Sequence, residues 1–279
     1  MKLLFLGTGT SVGVPQIGCD CRVCKSADPR DRRRRCGVYV TADDGSSFVI
    51  DTPPEFREAC LLYAIKKVDA VLLTHAHMDH VAGFDDVRRF NTINGEIVQC
   101  DRSDPYSGGR DWKVIGKPLP CYASLDTISI LHHIFPYITN KAGQNGLYRP
   151  QINFIDNSKP FCVGSIQVEA FAVEHKFPCN GYIVSGDGFR IGYASDCGGM
   201  AEDVKRRLRG VDVMIIDCLR KRPHSTHFSL EGTLECLAAI GAKRSFITHM
   251  CHDLSHEEWC ALLPDGVEPA YDGLIIERT

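Results

Sequence analysis

The chain has 279 residues, 44% of them hydrophobic, with a formal net charge of −3 and a pI of about 6.4. That length can bury a sizeable core as one large domain or two small ones, and the near-neutral balance gives no electrostatic footprint for nucleic acid or an anionic membrane. No stretch approaches the roughly 20 apolar residues of a membrane-spanning helix, and Met1-Lys2-Leu3-Leu4-Phe5-Leu6 is too short for a secretion signal, so the expectation is a soluble, cytoplasmic protein.

Short apolar runs alternate with turn signals. Leu3–Leu6 ends at Gly7-Thr8-Gly9-Thr10, which lacks the Gly-Lys-Ser/Thr ending of a phosphate loop and reads as a tight turn. The basic run Arg30–Arg35 is expected on a solvated surface turn. Val38–Thr41 turns at Asp43-Asp44-Gly45 into Phe48–Ile50, a hairpin pattern. Pro54–Lys67 is amphipathic and helical, Val71–Leu73 is a buried strand, and Val81–Phe90 is a helix. Gln99–Pro120, rich in Gly, Asp, Ser and Pro, reads as an inserted surface loop, and Asn140–Asn157 as irregular. Ile166–Val173 is a strand, and Gly181–Ser185 and Phe189–Ala194 form a hairpin about Gly186-Asp187-Gly188. Ala201–Leu208 is a basic helix and Val213–Ile216 a strand. Leu230–Ile240 is a helix, with Ser229 as N-cap and Gly241 as its stop. Phe246–Thr248 is a strand and Glu257–Leu263 a helix. Nothing repeats and no linker divides the chain, so a single domain over 1–279 is expected.

Four ligand-type side chains, His75, His77, Asp79 and His80, fall within six residues directly after a buried run. His75 and His77 alternate and can reach one metal together, while Asp79 and His80 can turn toward a second. Imidazole with carboxylate suits zinc, manganese or iron and is too rich in nitrogen for calcium. His175, Asp196 and His249 each follow a strand and are the candidates for the remaining ligands. Of the 14 cysteines, Cys19, Cys21 and Cys24 cluster and offer three thiolates, one short of a tetrahedral zinc site. His252 and Cys251 compete for the fourth place. The other cysteines read as small buried hydrophobes, since no disulfide framework is expected without secretion.

The His-x-His-x-Asp-His pattern resembles the signature of the metallo-β-lactamase superfamily, and the order His175, Asp196, His249 is similar to its later motifs. The resemblance implies an α/β fold, an αββα sandwich with metals at one edge. It implies that His75, His77 and His175 hold one metal, that Asp79, His80 and His249 hold another, and that Asp196 bridges them. Asp51 matches the early aspartate that supports the metal loop. Gly18-Cys19-x-Cys21-x-x-Cys24, Leu73-Thr74-His75, Asp217-Cys218, Thr248-His249-x-x-His252 and Asp272-Gly273 resemble the phosphoribosyl 1,2-cyclic phosphate phosphodiesterases of phosphonate breakdown. That resemblance runs from Gly7 to Gly273 and favours His252 as the fourth ligand of a structural zinc at Cys19, Cys21 and Cys24. Gln99–Pro120 and much of Ile128–Asn157 depart from that family.

The activity so implied is hydrolysis of a small, cyclic sugar phosphodiester by a metal-activated hydroxide, with two divalent transition metals (Mn or Zn) and one structural Zn. Asp79 takes a catalytic part as a metal ligand. His227, in His224-Ser225-Thr226-His227-Phe228, matches the family's additional active-site histidine and is assigned as general acid or phosphate ligand, with His224 the weaker candidate. The expected partner is a small phosphorylated substrate, with neither nucleic acid nor membrane and with a homodimer left open. Three rivals stand beside this reading. A pyrroloquinoline-quinone biosynthesis-type accessory protein shares the cysteine loop but tends to lack the complete histidine motif. A tRNA 3′-processing endonuclease needs a basic RNA-docking arm that is not evident here. A nucleotide-binding protein that has lost catalysis has no need of the full ligand set. A β-lactamase role fits poorly without an export signal.

Overall fold

The computed structural model describes residues 1–104, 107–139 and 150–278. Two seven-stranded sheets stack face to face. The first runs, in spatial order, Ile275–Glu277, Lys2–Gly7, Gly37–Thr41, Ser47–Ile50, Ala70–Leu72, Leu119–Ala123 and Ile152–Asp156. The second runs Val267–Pro269, Arg244–Thr248, Val213–Asp217, Phe189–Ala194, Cys179–Gly186, Ile166–Val173 and Phe161–Val163. Each sheet is antiparallel on one side and parallel on the other, the change falling at Ser47–Ile50 in the first and Phe189–Ala194 in the second.

Side-chain alternation along the strands builds the layers. Phe48, Ile50, Leu72, Ile191, Tyr193, Val213 and Ile215 fill the space between the sheets. Their neighbours point outward: Val49 and Val71 to helices on the first sheet, with Phe56, Phe84 and Leu131, and Met214 and Ile216 to helices on the second, with Val204, Leu237 and Ile240. The result is the αββα sandwich that the motif implied.

Leu230–Ile240 has the expected bounds, with the Ser229 hydroxyl accepting from Gly232 N at 3.4 Å and Gly241 left-handed at φ 62°. Other elements differ. The helix expected over Pro54–Lys67 occupies only Phe56–Leu62, because Ala64 turns left-handed at φ 52° and ends it. The helix expected over Val81–Phe90 is broken into Met78–Val81, Phe84–Val87 and Arg88–Ile93, with Gly83 so close to the Pro53 carbonyl that a Cβ would sit 2.3 Å from it. Gln99–Pro120 is not a plain loop. Glu96–Gln99 and Trp112–Ile115 pair as an antiparallel ribbon, and Leu119–Ala123 enters the first sheet. Ile152–Asp156 of the stretch read as irregular is a further strand, while residues 140–149 lie outside the described residues.

Glycine at 7 and 9 is required by more than a turn. The first strand crosses the Arg33–Arg35 backbone there, and a Cβ would meet Arg35 O at 2.0 Å or Arg33 O at 2.6 Å. The arginine run is correspondingly not all surface. Arg33 is 1% exposed, donates to Cys251 O (2.5 Å) and Leu254 O (2.9 Å), and pairs with Asp31 at 3.3 Å. Among the described residues no helix is long and apolar enough to cross a membrane.

Candidate metal centre

The parallel strands of both sheets end at the same edge, and chemistry-bearing residues leave them there. Asp51 follows Ser47–Ile50, His75 follows Ala70–Leu72, Asp196 follows Phe189–Ala194, Asp217 closes Val213–Asp217 and His249 follows Arg244–Thr248. Two depart from ordinary backbone, Asp51 at φ 65° and His249 at φ 61°. A positive φ in a non-glycine residue persists only where its surroundings over-determine it.

The ligand atoms of His75, His77 and His175 lie within 4.8 Å of one another, and so do those of Asp79, His80, Asp196 and His249. Asp196 reaches across: its Oδ1 is 3.1 Å from His80 Nε2, and its Oδ2 is 3.3 Å from His249 Nε2 and 4.0 Å from His75 Nε2. Asp79 Oδ2 is 3.3 Å from His80 Nε2. The sandwich thus gathers all seven residues expected to hold the metal pair.

These residues fit a metal pair on their own chemistry. His80 Nε2, His175 Nε2, both nitrogens of His249 and Asp196 Oδ1 are buried and have no hydrogen-bond partner. Buried polar atoms without partners are costly, and these converge on common points. Burial holds His75, His77 and His175 below the ordinary histidine range and pushes His249 down to about 4. The lone pairs of these four rings are therefore free for coordination at neutral pH.

A layer behind them fixes the rings. Asp51 Oδ2 accepts from His80 Nδ1 at 2.7 Å, while Thr74 donates its backbone N–H to Oδ1 and its hydroxyl to Oδ2, both at 2.8 Å. His175 Nδ1 donates to Thr226 O at 3.0 Å, which turns Nε2 inward. His227 Nδ1 lies 2.7 Å from Asp217 Oδ2, and its ring stacks on His249 at 4.7 Å. His227 also comes within ligand distance of His175 and Asp196, so it overhangs the centre. His224 is exposed, 5.1 Å from His227 between ring centroids, with Nδ1 turned to Thr226.

The cysteine loop meets His252 well away in sequence. His252 Nδ1 is 3.3, 3.6 and 3.3 Å from the Sγ atoms of Cys19, Cys21 and Cys24. The Cys24 N–H donates to Cys21 Sγ and pulls that thiol down to about 6. Cys251 does not join; its carbonyl receives Arg33, which ties down the loop carrying both His249 and His252. Arg33 and Asp217 carry structure or site geometry for which the sequence named no role. For Asp217 a signal existed, since it ends a strand as Asp51 follows one.

Comparison with known proteins agrees with this fold. Residues 46–250 match the model of the β-lactamase superfamily domain. The crystal structure of a diphosphatase from the PhnP family is similar at 35% identity, covering 99% of this chain and 96% of that one, with a TM-score of 0.82. Zn(2+)-bound PqqB from Methylobacterium extorquens superposes with a TM-score of 0.78 over the whole of both chains at 19% identity, a likeness of fold. An octanoyltransferase of Porphyromonas gingivalis is 31% identical over 98% of this chain, and the match spans 51% of that relative.

Proposed function

This chain belongs to the β-lactamase superfamily, and we propose that it is a two-metal phosphodiesterase acting on a small, cyclic sugar phosphodiester. The observation that carries the reading is the convergence of seven imidazole and carboxylate ligands, several with buried atoms that have no other partner. The likeness to a PhnP-family diphosphatase supports phosphoryl chemistry, and it favours a diphosphate as the second reading. The octanoyltransferase is about twice the length of the match, so its activity is not carried over.

His75, His77 and His175 would hold one metal, Asp79, His80 and His249 the other, and Asp196 would touch both. When bound, such a pair supplies Lewis acidity and makes water acidic enough to act as a nucleophile near neutral pH. The chain's own residues do the rest. Asp51 holds His80 and the Thr74 backbone as one unit, so the ligand loop cannot rotate without losing three contacts. Asp217 accepts the Nδ1–H of His227 in a hydrogen bond, leaving Nε2 to face the cleft. In its protonated form that ring can give a proton to the departing sugar oxygen. The Cys19, Cys21, Cys24 and His252 group would hold a structural zinc, joining the loop after the first strand to the loop that carries His249.

Purified protein supplied with manganese should open a ribose 1,2-cyclic phosphate much faster than it cleaves pre-tRNA or a β-lactam. Absence of phosphodiester hydrolysis in metal-replete protein would overturn the reading, and a diphosphate as the best substrate would move it to the second.

A further inference from the structure

A second concavity lies between two helices on the outer face of the first sheet, and it contains no residue of the candidate metal centre. Phe56–Leu62 forms one wall and Arg88–Ile93 the other. The cleft measures about 340 Å³. Phe56 and Phe90 lie buried at its back, their ring centroids 6.3 Å apart, and Cys60 and Ile65 continue that floor. Burial pushes the Cys60 thiol up to about 12, so it presents a neutral, apolar surface and not a nucleophile. Leu61, 66% exposed, and Ile93, 45% exposed, form the lips. A mostly apolar cleft of this size with a few polar groups at its edge is the usual form of a small-molecule site.

The walls are fixed relative to each other. Thr52 N donates to His80 O at 2.8 Å and Gly83 N to Thr52 O at 2.9 Å, which locks together the segments that lead into the two helices. At the far end the Asn94 side chain donates to Val68 O at 2.8 Å. The rim carries the charge. Arg57 and Arg89 are both exposed, and neither has a carboxylate within ion-pair distance among the described residues, whereas their neighbour Arg88 is held by Asp85 at 2.9 Å. Asp86 is the one acidic side chain in the lining. Burial and the adjoining Asp85 raise its carboxyl above the ordinary range, while Arg88 and Arg57 draw it back. One acidic group therefore faces two unpaired guanidinium groups, and the charge left over is positive.

From this we infer that the cleft between Phe56–Leu62 and Arg88–Ile93 is a binding site for a medium-chain aliphatic carboxylate, its chain on the Phe56, Cys60 and Phe90 floor and its head between Arg57 and Arg89. The chemistry of the lining selects this occupant. Apart from Arg57, Arg89 and Asp86 at the rim, the lining residues offer only one weak polar group, the Cys60 thiol. A ligand with polar groups along its body would leave them without partners there, at a cost that an alkyl chain does not incur. Two guanidinium forks match the flat, two-oxygen head of a carboxylate, and a single negative charge balances the excess at the rim. The site is separate from the metal edge and stands whatever reaction that edge performs.

Calorimetric titration of the metal-replete protein with hexanoate, octanoate and decanoate, below the onset of micelles, tests the site. Each added methylene should tighten binding about threefold to fourfold, and decanol, which has the chain without the charge, should bind on the order of tenfold more weakly than decanoate. Arg57→Ala and Arg89→Ala should each weaken decanoate about tenfold and leave decanol unchanged. Leu61→Gln and Ile93→Gln, both at exposed positions, should weaken decanoate and decanol alike. All four variants should keep the metal content and melting temperature of the wild type. A second readout places the ligand: a decanoate bearing a diazirine near its chain end should crosslink within residues 56–65 or 88–93. Failure of decanoate to bind, equal binding of decanol and decanoate, arginine variants that bind decanoate as the wild type does, or crosslinks confined to other segments would each overturn the inference. So would association with lipid vesicles in a protein that binds no monomeric decanoate, which would make this face a membrane-docking surface.

Discussion

His227 Nδ1 lies 2.7 Å from Asp217 Oδ2, and the same oxygen accepts the Cys197 N–H at 2.9 Å. One buried carboxylate therefore fixes the tautomer of the overhanging histidine and the loop that presents Asp196. Replacing His227 by Ala should leave both catalytic metals bound while slowing phosphodiesters with poor leaving groups by about 10²–10⁴-fold. A p-nitrophenyl ester needs little help from an acid and should suffer much less. Asp217→Asn should move both rates in the same direction by a smaller factor. Steady-state rates on the two ester types check this; equal damage to both would make His227 a binding group.

Asp51 makes three hydrogen bonds from a left-handed backbone that asparagine also tolerates. Asp51→Asn should therefore keep the turn and lose the support of His80. Metal affinity should fall by about 10–100-fold with the fold retained, since such supporting partners are worth that much. Metal titration of the apo-protein, with circular dichroism as the control, measures it.

Cys21→Ser should remove one equivalent of zinc per chain and lower the melting temperature before it lowers turnover, because structural zinc contributes folding free energy directly. His252→Ala should do the same from the other side of the site. Unchanged zinc content and melting temperature in both variants would show that the four residues hold no metal.

Asp272 accepts from the Thr8 hydroxyl at 2.8 Å and the Arg34 N–H at 2.7 Å, yet burial pushes its carboxyl up to about 6. Its unfolded value is about 3.9. Between those values the folded state binds the proton more tightly, so this group's contribution to stability falls as pH rises from 4 to 6 and is constant above. The loss over that window should be about 2–3 kcal/mol. In denaturant unfolding, the stability of wild-type protein minus that of Asp272→Asn should fall across pH 4–6 and be level from 6.5 to 8. A difference that stays level throughout would contradict it.

By itself the sequence determined the strands that alternate, the capped helix Leu230–Ile240, and the types of residue that leave each parallel strand. These are local signals: periodicity, capping and ligand chemistry act between near neighbours along the chain. Only tertiary structure decided that a run of arginines would bury Arg33 under the Cys251 and Leu254 carbonyls, and that Asp217 would serve His227. It also brought Cys19, Cys21 and Cys24 to His252, across more than 220 residues. Each of those depends on where two distant segments cross, which composition and spacing do not record. The ribbon of Glu96–Gln99 with Trp112–Ile115 was hidden for a related reason. Its short strands flank a polar, glycine-bearing stretch, and that composition suits a loop and a long hairpin turn equally well.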